Sequence, residues 1–190
     1  MLRMSLWLAT RNAKEETMDL GIRPTAEEIK ATLGLEPHPT CGFVAETYRS
    51  PLKIPPDALP EAYDEGDRPY GSALYFLVAP GAQIVMHRIR SDQLYHHYMG
   101  DPLEVLMLYP DGTGAVAVVG SDLAAGERPQ LFVPGGTFHT SRLAPGGEGY
   151  ALLASTEWPG VEPPDVEHGD IGELTTAYPD LREKIRAFTG

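Results

Sequence analysis

From residue 72 to residue 157 the chain is a succession of short apolar runs cut by turn residues. The runs occupy 72–79, 84–90, 94–98, 103–109, 114–119, 130–133, 138–143 and 149–157. Between them stand Pro80-Gly81, Gly100-Asp101-Pro102, Asp111-Gly112, Gly126, Gly135-Gly136 and Gly146-Gly147. Short runs with a turn signal every ~8–12 residues predict an antiparallel sandwich or barrel. Upstream, 43–50 reads as a further strand, with Phe43, Ala45 and Thr47 on one face and Val44, Glu46 and Tyr48 on the other.

Helical signals stand at both ends. Thr25 followed by Glu28 is a capping box, Ile29 and Leu33 share one helical face, and Gly34 supplies the left-handed stop. Asp170 with Glu173 caps a second helix, and Pro179 suits the first turn of a third. Leu181, Ile185 and Phe188 recur at helical spacing and predict a face packed on the strands or on a second subunit. Residues 51–70, rich in proline, predict a surface excursion that partly covers a barrel mouth. Residues 158–169 are expected to wrap the outside. Residues 1–21 read as an extension or tail and 22–190 as one domain, with its C-terminal helices within 170–188.

The composition narrows the function classes. A net charge of −12 with no basic tract speaks against nucleic acid, and no apolar stretch is long enough to span a membrane. The expectation is a cytoplasmic protein acting on small molecules. The one cysteine, Cys41, offers neither a disulfide framework nor a cysteine zinc site, and is expected to pack as a small apolar residue.

Chemistry concentrates between Gly81 and His139, where four of the six histidines lie. Strand alternation puts His96 with Leu94 and Tyr98 on one face and Tyr95 with His97 on the other. If His96 points inward, His97 is outside. Glu104 shares a face with Leu106 and Leu108, and His87 with Val85 and Ile89. This reading gathers His87, His96, Tyr98, Glu104 and His139 in one interior. Tyr75, Arg88 and Phe138 are the accompanying ligand-binding candidates. His38 and His168 read as solvated loop residues, and Asp92 and Asp101 as turn residues.

Pro134-Gly135-Gly136-Thr137-Phe138-His139 resembles the second motif of the cupin superfamily, in which a proline, a glycine and a histidine recur at this spacing. The first motif is present in altered form: His96 and Tyr98 stand where two histidines are usual, and Glu104 stands near the usual glutamate. A closer resemblance is to the small standalone cupins of type five, a family of unknown function. It rests on the segments 73–77, His87-Arg88, Ser91-Asp92, His96, 100–103, Asp111-Gly112, Pro129-Gln130, Val133-Pro134 and Pro159-Gly160. The chain departs from that family at Tyr95, where tryptophan is usual, at His139, and at Ala154-Ser155-Thr156, where Gly-Cys-Thr is usual. The resemblance implies an all-β jelly-roll barrel, here with short N- and C-terminal helices, and commonly a homodimer.

Three chemistries fit these residues. The first is acid–base catalysis of the isomerase, epimerase, dehydratase or cyclase kind. In it His96 or His87 is the base, Tyr98 the acid and Glu104 the group that orients a histidine, by analogy with cupin sugar epimerases. The second is a dioxygenase-like enzyme with iron, manganese, nickel or zinc on His96, Glu104 and His139, since two imidazoles and a carboxylate suit such ions. The third is a non-catalytic binder of a small metabolite. The first is the reading the residues favour.

Overall fold

The computed structural model of the chain describes residues 23–61, 63, 66–82, 84–144 and 147–190. The expected N-terminal tail lies outside them. In chain order the elements are α1 (Ala26–Leu33), β1 (Glu36–His38), β2 (Gly42–Arg49), β3 (Lys53–Ile54), β4 (Arg68–Pro69), β5 (Ser72–Val78), β6 (Ile84–Ile89), β7 (Asp92–Gly100) and β8 (Leu103–Leu108). β9 (Gly114–Val119), β10 (Gln130–Val133), β11 (Phe138–Leu143), β12 (Ala151–Trp158), β13 (Val166–His168), α2 (Ile171–Ala177) and α3 (Arg182–Thr189) follow.

Two antiparallel sheets carry the fold. One runs β1-β2-β5-β12-β7-β10 and the other β13-β6-β11-β8-β9. Isolated bridges, Cys41 with Ile84 and Val119 with Arg128, join them at two edges. The result is a jelly roll that stays open rather than a fully hydrogen-bonded barrel. Apolar side chains alternate along each strand into three cores. Phe76, Val78, Leu103, Val105, Met107 and Leu153 fill the space between the sheets. Leu106, Leu108 and Met86 point the other way and meet Leu174, Ile185 and Phe188 of α2 and α3. Leu77 and Leu152 leave the outer face of the six-stranded sheet to meet Ile29 and Leu35, on and just after α1. The 181/185/188 face therefore packs on the molecule's own second sheet.

The capping signals act as the sequence indicates. Thr25 and Glu28 form both halves of a capping box, and Gly34 closes α1 at φ 63°. Asp170 accepts from the Glu173 amide. In the turn before β11 the two glycines serve different ends. Gly136 adopts φ 75°, and a Cβ on Gly135 would lie 2.3 Å from the Arg90 carbonyl oxygen. That tight turn delivers His139 to the interior.

The segment between β2 and β5 is anchored rather than draped. Arg68 and Asp165 are buried and bonded at two points, Nε to Oδ2 at 2.7 Å and Nη2 to Oδ1 at 2.8 Å. Tyr63 stacks on the Arg68 guanidinium and reaches Ser91 Oγ at 3.2 Å. Among the described residues none from 51–70 lines the interior cavity, which corrects the expected cover over its mouth. The mouth is bordered instead by 161–168, part of which pairs as β13 with β6.

Candidate functional site

Between the sheets lies a cavity of about 470 Å³, a size suited to one small ligand. Its apolar wall includes Val44, Leu74, Phe76, Ile84 and Ile89. Its polar groups are Ser72, Gln93, Tyr95, Ser155 and Glu157 from the six-stranded sheet, and His87 from the other. Cys41, Glu46, Arg49, His38 and His168 also line it.

His87 and His139 are directly opposed across β6 and β11, so their rings share the interior face, with centroids 4.3 Å apart. The Nδ1 of His139 donates to the Thr137 carbonyl at 3.1 Å, which leaves Nε2 as acceptor for the Tyr95 hydroxyl at 3.0 Å. His87 Nδ1 donates to the Val85 carbonyl at 2.7 Å, leaving its Nε2 a bare acceptor. Burial pushes the His87 pKa down to about 3, with the neighbouring His139 adding to the effect, and pushes His139 down to about 4. Both rings are neutral at pH 7.

Glu157 follows from alternation on β12. Ala151 and Leu153 sit in the interior core, so Ser155 and Glu157 point the same way. Glu157 is 4% exposed, and its carboxylate accepts from Ser72 Oγ at 2.7 Å. Burial raises its pKa. Ser155 Oγ is buried beside Glu157, where it works against burial to lower the carboxyl's pKa without forming a well-aligned hydrogen bond. Burial, then the charge of Glu157, pushes the Cys41 thiol up to about 12, so it is no thiolate nucleophile.

Several predicted site residues lie elsewhere. On β7 the inward residues are Gln93 and Tyr95, the latter 3% exposed, while Tyr98 is 52% exposed. The expected facing is thus reversed. His96 lies on the outer face, taking a bond from Gln130 Nε2 at Nδ1 and donating from Nε2 to Thr156 Oγ1 at 3.1 Å. His97, expected outside, opposes the core residue Leu153, and its Nε2 meets the Asp101 carbonyl. Glu104 bonds Arg142 Nε at 2.7 Å beneath α3, on the outer face of the second sheet.

Tyr75 meets Tyr98 edge-on outside the six-stranded sheet. Arg88 bonds Glu167 and covers the Phe138 ring, again outside. Of the five proposed catalytic residues, the interior brings together His87 and His139. His38 and His168 are exposed as expected, yet they stand at the cavity rim, where His168 Nε2 is 3.1 Å from Thr40 Oγ1.

Sequence reasoning missed Gln93, Tyr95, Ser155 and Glu157. The available signal was a charged residue closing an otherwise apolar alternating run, beside the family departure at 154–156.

The metal set fails a geometric test. His96 is outside one sheet, Glu104 outside the other, and His139 between them, so no ion can touch all three. Among the described residues no three histidine, cysteine or carboxylate groups converge as ligands. No described helix is long and apolar enough to cross a membrane.

A family model described as Cupin superfamily (DUF985) matches residues 27–169. A hypothetical protein from Leishmania major is 29% identical, with a TM-score of 0.77 over 87% of this chain and 98% of that one. A protein from Shewanella oneidensis is also 29% identical, with a TM-score of 0.76 over 88% and 99%. An uncharacterized protein of Saccharomyces cerevisiae is 29% identical over 116 residues, 58% of this chain. That match spans 57% of the yeast protein's length. With an open jelly roll around an interior cavity, and with the family model running from α1 to just past β13, the chain belongs to the cupin superfamily, in its DUF985 family.

Proposed function

We propose that the chain is a small-molecule enzyme of the isomerase, epimerase, dehydratase or cyclase kind, with Glu157 as the group that carries the proton. The observation that supports this most is a buried carboxyl with a raised pKa in a ligand-sized cavity, held by a hydroxyl. In its ionised form Glu157 takes the proton from a carbon beside a carbonyl. The C–H electron pair becomes the carbon–carbon double bond of an enolate. Ser155 Oγ and the Gln93 amide supply neutral donors for the oxygen that gains charge. Return of the same proton to a neighbouring atom completes an isomerisation, and loss of a neighbouring hydroxyl with it, as water, completes a dehydration. His87 Nε2, on the facing sheet, accepts a ligand hydroxyl.

The test is proton exchange in D2O, followed by NMR, with sugars, hydroxy acids and β-dicarbonyl compounds. Exchange next to the carbonyl of at least one bound compound is expected, with loss of ~100-fold or more in Glu157→Gln. Binding without exchange would sink the enzymatic reading in favour of a binder. Exchange that survives Glu157→Gln would remove Glu157 from the role.

A further inference from the structure

The charges around the cavity are arranged in a way that bears on what can enter it. Arg49 is the one lysine or arginine among the described lining residues. Its guanidinium is already engaged: Nε and Nη2 both donate to Glu46 Oε2, at 2.9 and 2.6 Å, and Nη1 donates to Glu162 Oε1 at 2.9 Å and to the Val161 carbonyl at 3.3 Å. Only one of its five N–H groups is left over. Glu157, deeper in, forms no ion pair among the described residues; Arg49 reaches it only as a weak pull that lowers its pKa against burial and the nearby Glu46. The imidazoles inside the fold are neutral.

Helix N-termini are the other common anion holders, and the three α-helices among the described residues pack on outer faces. The groups left to greet a ligand are uncharged: Ser155 Oγ, the Gln93 amide and His87 Nε2, against an apolar wall.

We infer that the cavity selects an uncharged, hydroxyl- or carbonyl-bearing small molecule with one apolar edge, and rejects carboxylates and phosphates. A bound carboxylate would meet Glu157 and the Glu46–Glu162 rim without a free counter-ion, and like charges at such range are costly. An ammonium ligand is disfavoured for another reason, which rests on the acid–base reading above. It would lock Glu157 in an ion pair and deprive it of the proton it has to carry.

Two charge-matched sets test this by ligand-observed NMR titration at neutral pH: glucose, glucuronate and glucosamine, then benzamide, benzoate and benzylamine. In at least one set the uncharged member should bind about tenfold more tightly than its carboxylate, a preference that shrinks in Glu157→Gln. Arg49→Met should leave the binding of the uncharged member in place. A carboxylate that binds as tightly as its uncharged counterpart, and is lost in Arg49→Met, would make Arg49 an anion clamp and overturn the inference. An ammonium that binds most tightly would overturn it too, as would failure of every member of both sets to bind.

The two readings fail separately. Uncharged ligands that bind but never exchange a proton uphold the charge selection and defeat the catalysis. A carboxylate exchanged through Glu157 does the reverse.

Discussion

His87 and His139 are the residues whose environment has the clearest thermodynamic consequence. Each is buried and neutral, with a pKa far below the ordinary value of 6.5. Between about pH 3–4 and 6.5 the unfolded chain therefore binds protons that the folded chain refuses. Stability is fully present above pH 6.5 and falls as the pH drops toward 4, with a limiting slope of about 1.4 kcal/mol per pH unit for each histidine. Glu157 acts with the opposite sign, because its raised pKa favours proton binding by the fold above pH 4.5. Urea unfolding from pH 7 to 4.5 should show the fall, flattened in His87→Asn and steepened in Glu157→Gln. Parallel curves for all three proteins would mean that the histidines are not neutral in the fold.

At the level of elements, the rim depends on the clamp between β4 and the turn before β13. Arg68 and Asp165 side chains are 2% and 0% exposed and bonded at two points. Asp165→Ala removes the buried carboxylate bonded to Arg68 Nε and Nη2 and should cost about 3–5 kcal/mol in urea unfolding. Glu167→Ala breaks the Arg88–Glu167 pair, whose side chains are 39% and 56% exposed, and should cost less than ~1 kcal/mol. Equal losses would show that the clamp is no stronger than a surface pair. The same contrast explains why 51–70 is fastened. A proline-rich loop is usually held only by its ends, but this one carries its own buried charge and its own aromatic cover.

For the whole molecule, the outer face of the six-stranded sheet, beyond the part that α1 covers, is left exposed by the described residues. Tyr98, Phe132 and Trp158 are 52%, 53% and 52% exposed there, beside Tyr75 and the His96–Gln130 bond. Exposed aromatic surface of this kind marks an interaction site. We infer that a second copy of the chain covers it, in keeping with the homodimer that the family resemblance implies. Light scattering at micromolar concentration should give twice the chain mass, and the double variant Tyr98→Glu/Phe132→Glu should give a folded monomer. A monomeric parent protein would sink the idea.

The sequence by itself determined β2 and the run of strands from β5 to β12, their turns, the helix caps and the cupin motif around His139, because these rest on period, turn chemistry and local hydrogen bonding; the short β1, β3, β4 and β13 carry no such signal. It could not determine which face of a strand looks inward. Alternation always offers two faces, and apolarity separates them only when one is wet. Here β8 is apolar on both sides, because Val105 and Met107 fill the interior while Leu106 and Leu108 meet α2 and α3. That is how Glu104 came to be expected inside. On β7 the apolar Leu94 and Tyr98 lie outside and the polar Gln93 inside, with an irregularity beyond His97 shifting the register against β12. On β6 a similar shift turns Val85 out while His87 and Ile89 stay in. Only the tertiary structure brings Glu157, 61 residues beyond His96 in the chain, into the cavity opposite His87. Long-range strand pairing made that choice, and no local pattern encodes it.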